Sequence, residues 1–259
     1  MSNEFIKFTT ESSVGKITLN RPDTLNSFNK EMAKQMQSAL DMCASDKGIR
    51  AVYITGEGRA FCAGQDLSEA ISPGIKISDI VRETYNPIIT KIRNIEKPVI
   101  CGVNGVAAGA GANIAFACDI TCAAESASFV QSFANIGLIP DSAGTFFLPR
   151  LAGLQRATAM AMLAEKIKAQ QAMEFGLIWK VFADDKLQAD TFAIAQKLSM
   201  MPTKGLGLTK RLFNNGLFND LETQLQMEEQ IQEEAANSYD YGEGVKAFLE
   251  KRKPVFKGE

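Results

Sequence analysis

Residues 98–118 read PVICGVNGVAAGAGANIAFAC, a run of twenty-one positions without a charged side chain. A run of this length could cross a lipid bilayer as a helix. Pro98, four glycines and two asparagines interrupt it, however, and these residues favour turns and loops. The pattern therefore predicts a buried strand, a glycine-rich loop and a buried helix, and it argues against a membrane span.

The chain on either side of this run alternates between short apolar strands and amphipathic helices. The helix after Ser27, for example, has Met32, Met36 and Leu40 on one face at helical spacing. The predicted strands cover residues 14–19, 51–55, 99–103, 120–123 and 177–182. This alternation is typical of an α/β fold with a largely parallel sheet.

From about Gln188 onward the pattern becomes entirely helical. This change predicts two parts, a core over residues 1–195 and a helical module over residues 196–259. In the module, Leu221 and Leu225 lie on an apolar side of a helix, and the glutamates beside them are typical of a solvated face.

The composition excludes several kinds of chemistry and partner. The chain has no histidine, which rules out Ser-His-Asp and Cys-His catalysis and removes the commonest transition-metal ligand, so no metal site is predicted. A net charge of -2 supplies no basic field for nucleic acid or for anionic lipid. Five cysteines without a Cys-x-x-Cys pair predict buried, reduced thiols. Residues 1–11 lack the pattern of a signal peptide, and together these features predict a cytoplasmic protein.

Two glycine-containing loops, residues 60–67 and 104–113, each follow a buried strand. Small residues let a ligand approach the backbone closely, and the second loop runs into a helix whose first turn has unsatisfied N–H donors. Donors from both loops would form an oxyanion hole if they converged. The alternative is tight packing of strand against helix, which the spacing alone favours. Ile114 stands where the third glycine of a dinucleotide-binding fingerprint would lie.

A third candidate is Asp141, which follows an apolar run and Pro140 and precedes a predicted helix. An aspartate at such a place is often the N-cap of the helix, and local context favours that interpretation. The alternative is functional, because a lone carboxylate in apolar surroundings has a raised pKa and can carry protons.

Five segments, in their order and spacing, resemble the crotonase-like enoyl-CoA hydratase/isomerase superfamily. They are residues 17–22, 61–67, 97–100, 104–111 and 137–141. The resemblance covers nearly the whole chain and implies a spiral of ββα turns with a C-terminal helical trimerisation module. It also implies an enzyme with an acyl-CoA substrate, no cofactor besides the CoA of that substrate, and a homo-oligomer, either a trimer or a hexamer.

The resemblance also implies roles for residues of this chain. The oxyanion hole would be formed by the backbone N–H groups of Gln65 and Ala110, and Asp141 would be the acid/base at a position used by some isomerases of the superfamily. The residues implied to contact the substrate are Ala63, Gly64, Asp66, Leu67, Gly109, Asn113 and Phe133.

The sequence departs from the hydratases of this superfamily at both of their catalytic glutamates. Asn113 and Phe133 stand at those positions, and neither side chain can take a proton from water. The sequence therefore favours an isomerase, in which Asn113 matters less than Asp141 because an amide does not ionise. Within the superfamily the sequence resembles the ring-1,2-epoxyphenylacetyl-CoA isomerases of phenylacetate catabolism, and this resemblance implies conversion of an arene epoxide to an oxepin and a 3,4- to 2,3-enoyl shift. A 2-enoyl-CoA hydratase and a catalytically silent acyl-CoA-binding relative are the alternatives.

Overall fold

The computed structural model describes residues 4–259, so the first three residues of the N-terminal stretch assessed for a signal peptide lie outside the described part. In this part the strands are β1 (Ile6–Glu11), β2 (Val14–Leu19), β3 (Ala51–Gly56), β4 (Ala60–Cys62), β5 (Val99–Val103), β6 (Val106–Ala108), β7 (Ile120–Ala124), β8 (Ser128–Val130), β9 (Ile167–Lys168) and β10 (Lys180–Phe182).

Twelve α-helices lie between and after these strands in the described part of the chain. They are α1 (Lys30–Ser45), α2 (Leu67–Ala70), α3 (Ile77–Ile80), α4 (Asn86–Asn94), α5 (Ala110–Ala117), α6 (Gly144–Ala152), α7 (Leu154–Leu163), α8 (Ala169–Glu174), α9 (Leu187–Ser199), α10 (Thr203–Gly216), α11 (Leu221–Ala236) and α12 (Tyr239–Leu249). Helix α1 shows why the sequence folds in this way. Its first turn is capped by the side chain of Asn29, and its apolar face, with Met32, Met36 and Leu40, is buried.

Two sheets form the frame of the molecule. The larger sheet has the order β1-β2-β3-β5-β7-β10, in which β1 pairs antiparallel with β2 and the other neighbours are parallel. The smaller sheet has the order β4-β6-β8-β9, and only β9 runs antiparallel. Successive turns of the chain add one strand to each sheet and then a helix, as in β5-β6-α5. This arrangement confirms the predicted spiral of ββα turns.

The carboxyl ends of three parallel strands in the smaller sheet lie side by side. Strand β4 leads into residues 63–67, β6 leads into Gly109 and α5, and β8 leads into Ser132 and Phe133. Ligands in open α/β sheets bind at the carboxyl ends of such strands. The fold therefore brings segments that are distant in sequence to one edge.

Most of the predicted strands are confirmed, including β5, whose five residues are all buried. The strand predicted over residues 177–182 is shorter than expected, since only Lys180–Phe182 pairs with β7. Leu177 and Ile178 are nevertheless buried, which explains the apolar signal. No helix within residues 4–259 has both the length and the apolar character needed to cross a membrane.

The all-helical pattern predicted from Gln188 onward is confirmed, because helices α9 to α12 follow one another to Leu249. Helix α9 packs on strands β3, β5 and β7, and it spans the predicted boundary after residue 195. Helix α11 has no buried residue, although it carries Leu221 and Leu225. The division into a core and a C-terminal module remains a prediction.

Candidate active site

The edge formed by the three strand ends opens into a cavity of ≈ 550 Å³. Residues of helices α2 and α3 and of the turn after them line it, together with residues between 132 and 141. Its apolar lining includes Leu67, Ala70, Ile71, Ile77, Ile80, Val81, Phe133, Ile136 and Leu138. Among the described residues that line it, Asp141 is the only one with an ionisable carboxylate, and none has a cationic side chain.

The first wall of the cavity is the segment that follows β4. Gly64 lies at φ +94°, and a Cβ placed there would lie 2.9 Å from the carbonyl oxygen of Ala108 on the neighbouring strand. Only glycine allows the two segments to approach so closely. The carbonyl oxygen of Gly64 accepts a hydrogen bond from the N–H of Phe28 at 2.7 Å, and the N–H of Asp66 donates to the Phe28 carbonyl oxygen at 2.8 Å. These bonds fix the segment on both sides of Gln65.

The second wall is the start of helix α5. Gly109 lies at φ +50° and its N–H donates to Val130, whereas Ala110 is the first helical residue and lies in the cavity wall. The first N–H groups of a helix have no intrahelical acceptor and lie at the positive end of its dipole. Tight packing, the alternative interpretation of this loop, is also present. A Cβ on Gly111 would overlap Cys62.

The two walls bring Gln65 and Ala110 to the same cavity. Within the described part of the chain, no acceptor is recorded for the N–H of Gln65 or for that of Ala110. A Cβ on Gly64 would lie 3.7 Å from the nitrogen of Ala110, which shows how close the two segments are. Two such donors can hold a thioester oxygen that gains negative charge.

Asp141 lines the same cavity as Gln65 and Ala110. Burial raises the pKa of its carboxyl above the ordinary value, while a 2.8 Å hydrogen bond from the Ser142 hydroxyl lowers it in part. The N-cap interpretation of Asp141 is wrong. Helix α6 begins at Gly144, its cap residue is Ala143, and no side chain caps it. The carboxylate is therefore not engaged in capping helix α6.

The turn that carries Asp141 has an unusual backbone. Ser142 lies at φ +50° and Ala143 at φ +61°, two consecutive residues in the left-handed region without a glycine. Each such residue costs roughly 1–2 kcal/mol for an L-amino acid. Strain of this kind persists only where the surroundings hold the backbone, and it is concentrated at functional sites.

Tyr85 is a cavity residue that the sequence did not reveal as functional. Its hydroxyl donates to Oε1 of Gln65 at 2.8 Å, and burial raises the pKa of Tyr85 well above its usual range, so it remains a donor. It ends a π-helical turn, Val81–Tyr85. Such turns are frequent at functional sites, but no residue pattern predicts them from the sequence. On the other side of Gln65, its Nε2 contacts Glu69 on α2 at 3.3 Å.

The structure brings Ala63, Gly64, Leu67, Gly109 and Phe133 to the cavity wall, together with the three predicted catalytic positions, Gln65, Ala110 and Asp141. Within residues 4–259, no cluster of three or more Cys, Asp or Glu side chains could hold a metal ion.

Two predicted substrate contacts lie elsewhere. Asp66 caps α2 through Ser68 and forms an ion pair with Arg21 at 2.9 Å; the hydrogen bond from Ser68 is the main reason that its pKa is lowered. Asn113 is 1% exposed and lies behind the cavity wall, where it is hydrogen-bonded to Asp141 and Gln131. The side chains of Asp66 and Asn113 thus support the site from outside the cavity.

Comparison with known proteins gives a consistent result. The family described as Enoyl-CoA hydratase/isomerase matches residues 9–259. The 1,2-epoxyphenylacetyl-CoA isomerase of Escherichia coli (strain K12) is 46% identical over 99% of both chains. A Rhodobacter capsulatus protein named "Probable enoyl-CoA hydratase" is 42% identical over the full length of both. The crystal structure of an enoyl-CoA hydratase from Bacillus anthracis, at 35% identity, superimposes with a TM-score of 0.93 and covers 98% of this chain and 100% of that one.

Proposed function

The chain is an enzyme that belongs to the enoyl-CoA hydratase/isomerase family, and we propose that it is an isomerase of acyl-CoA thioesters. The observation that carries this proposal is the arrangement of the cavity. Two residues with backbone donors that are unpaired within residues 4–259, Gln65 and Ala110, line the same largely apolar cavity as one carboxylate, that of Asp141.

In the proposed reaction the thioester oxygen accepts hydrogen bonds from both backbone donors. This lowers the energy of the enolate that forms when a C2 proton leaves, by about 2.7–4 kcal/mol for each donor. Asp141 takes that proton, the double bond moves from C3–C4 to C2–C3, and the same carboxyl returns a proton to C4. A positioned acid/base of this kind contributes roughly 10²–10⁴-fold in rate.

Hydration would make a further demand on the site, because a water molecule must be held and activated by an acid and a base together. The cavity offers Asp141 for one of these roles and no second carboxylate among the described lining residues. Phe133 lines the cavity, and its ring favours a flat apolar group over an ordered water. This is why we favour isomerisation.

For the natural substrate we propose 1,2-epoxyphenylacetyl-CoA, which would be converted to oxepin-CoA, with the 3,4- to 2,3-enoyl shift as a second activity. The printed name of the 46% identical relative supports this choice. The lining of the cavity also supports this choice. It includes the aromatic residues Phe133 and Tyr85, which can pack against a ring, and its described residues include no cation that could pair with a charged acyl group.

Product analysis tests the proposal. A 3-enoyl-CoA, a 2-enoyl-CoA and 1,2-epoxyphenylacetyl-CoA are incubated with the enzyme in H₂¹⁸O, and the products are analysed by mass spectrometry. Isomerisation gives a new chromatographic peak of unchanged mass without ¹⁸O, whereas unreacted substrate gives only its original peak. A product heavier by one labelled water would show a hydratase, and the absence of any turnover would favour a catalytically silent binding protein.

We further propose that the enzyme works in the cytoplasm as a homo-oligomer, a trimer or a hexamer, with the CoA of its substrate as its only coenzyme group and without a nucleic-acid or membrane partner. All five cysteines are free and buried, as suits a reducing compartment. Phe218, Leu221 and Phe248 on or beside the last helices are 75%, 75% and 83% exposed, which is a large apolar surface for a monomer. A clean monomer in sedimentation at micromolar concentration would contradict this assembly.

A further inference from the structure

We propose that Asn113 is a positioning residue, whose side-chain amide holds the turn of Asp141 so that the carboxylate points into the cavity. The proposal rests on the isomerase function given above. It concerns a side chain that does not itself line the cavity.

The amide of Asn113 makes two directed hydrogen bonds. Its Nδ2 donates to the backbone carbonyl oxygen of Asp141 at 2.8 Å, and its Oδ1 accepts from Nε2 of Gln131 at 2.9 Å. Both side chains are buried, with exposures of 1% for Asn113 and 0% for Gln131. A side chain that donates on one side and accepts on the other is required here, and a carboxylate at position 113 could not donate.

The start of helix α6 fits closely around this amide. Gly144 lies against it, and a Cβ at that position would overlap the amide group of Asn113. The N–H of Gly144 also donates to the Asp141 carbonyl oxygen at 2.8 Å. Helix α5, which carries Asn113, is thereby joined to the beginning of helix α6 at the residue that bears the acid/base.

The backbone of the turn explains why such a bond is needed. Ser142 and Ala143 are both held in the left-handed region, which they would leave if the turn were released. Apart from helix α6, which follows the turn directly and donates to Asp141 and Ala143, Asn113 is the only described residue outside the turn that forms a hydrogen bond with residues 141–143. Without it the turn relaxes, and the Asp141 carboxylate moves away from the reacting carbons.

The consequence is a specific kinetic signature. Asn113 acts through Asp141, so its loss lowers kcat and leaves the backbone donors and the CoA-binding surface in place. A displacement of about 1 Å at a reacting group can cost roughly 10²-fold in rate. We therefore expect Asn113→Ala to lower kcat by about 10-fold or more, with the affinity for a CoA product nearly unchanged.

The test is a double-mutant cycle on 3-enoyl-CoA isomerisation with Asn113→Ala, Asp141→Asn and the double variant. If Asn113 acts through the carboxylate, Asn113→Ala costs nothing further in the Asp141→Asn background. Gly144→Ala perturbs the same amide from the other side and should reproduce the loss of kcat. Leu40→Ala, a cavity-forming change in helix α1, is the control for lowered stability alone, and it should lower the melting temperature while kcat at 25 °C stays at the wild-type value.

Two results would overturn the inference. One is full kcat in both Asn113→Ala and Gly144→Ala, and the other is an equal loss from Asn113→Ala in the presence and absence of the Asp141 carboxylate. Either can occur while Asp141→Asn keeps its roughly 10²-fold lower rate, which leaves the proposed function intact. Full activity of Asp141→Asn itself would instead reject the isomerase mechanism.

Discussion

The two sides of the cavity are built on different principles. The backbone wall, residues 64–65 and 109–110, offers N–H groups that any residue except proline has, and the sequence contributes small residues that let these segments meet. The acid wall, residues 141–143, offers one side chain on a strained turn. The function of the backbone wall depends on side chains being small enough for its two segments to meet. The function of the acid wall depends on one carboxylate, that of Asp141.

This difference determines how each wall can fail. At the backbone wall, a change of side chain at Ala110 alters the shape of the cavity but leaves the N–H in place. At the acid wall, a change at Asp141 removes the proton carrier itself. The hydroxyl of Tyr85 and the amide of Asn113 bind to residues of these walls, and their loss should therefore change the position of the functional groups without removing them.

The largest expected effect is the loss of the acid wall. Asp141→Asn keeps the shape of the side chain and should lower the rate of isomerisation by roughly 10²-fold or more, the scale for losing a general acid/base. Because the Asp141 side chain caps no helix, the melting temperature and the affinity for a CoA product should remain close to wild type. Steady-state kinetics, calorimetric titration and thermal melting measure these three quantities.

The control for this variant is Asp185→Asn, since that side chain is 78% exposed and pairs only weakly with Lys186 at 4.0 Å. It should have wild-type kinetics. If the Asp141→Asn enzyme keeps full activity but melts at a lower temperature, the residue has a structural role only. Residues 141–143 would then supply no acid/base to the reaction.

A larger side chain in the backbone wall should disrupt the oxyanion hole. Gly64→Ala places a methyl group 2.9 Å from the Ala108 carbonyl oxygen, so the two segments must separate and the donors at Gln65 and Ala110 must diverge. We expect kcat to fall by up to about 10²-fold, near the lower end for losing one oxyanion donor. Gly153→Ala is the matched control, because Gly153 also has a positive φ, +78°, but has nothing within 4 Å. Equal kinetics of the two variants would show that any loss of rate comes from backbone strain at a positive φ and not from the contact with the Ala108 carbonyl oxygen.

The sequence predicts the frame of the site well, for reasons of local pattern. Buried strands such as β5 and glycine-rich loops leave a strong local signal, since an uncharged run broken by glycines has few other interpretations. Strands β4 and β6 gave no signal of their own, because three residues are too few for a periodic pattern. The sequence therefore described as loops two segments that partly belong to the smaller sheet.

The sequence predicts the site less completely, because several of its parts are contacts between distant residues. Asn113 and Asp141 are 28 positions apart, and only the packing of α5 against α6 brings them together. The N-cap interpretation of Asp141 failed because the two left-handed residues, Ser142 and Ala143, separate it from the helix start. Asp66 lies in the right motif, yet its neighbours Arg21 and Ser68 engage its carboxylate.

A smaller effect is expected from a side chain that supports the backbone wall. Tyr85→Phe removes the hydroxyl that donates to Gln65 Oε1 at 2.8 Å and keeps the ring in the cavity lining. A neutral hydrogen bond contributes about 0.5–1.5 kcal/mol, so kcat should fall roughly 2- to 10-fold. The pH dependence should stay the same, because the acid wall is untouched. A shifted pH profile in this variant would show that Tyr85 acts on Asp141 directly and that the two walls are not independent.

The smallest change in rate, and the most selective, is expected from Ser142→Ala within the acid wall. Asp141 must be ionised to accept a proton, so the rate falls as the pH falls through its pKa. The hydroxyl of Ser142 stabilises the ionised form and lowers that pKa, against the effect of burial. Its removal should raise the pKa, so the fall in rate should begin at a higher pH than in the wild type, while the rate on the alkaline side of that fall changes little. The pH–rate profiles of wild type, Ser142→Ala and the remote control Ser45→Ala measure this shift. A profile that moves toward lower pH, or one that moves equally in the control, would mean that the Asp141 carboxylate does not govern the acid limb.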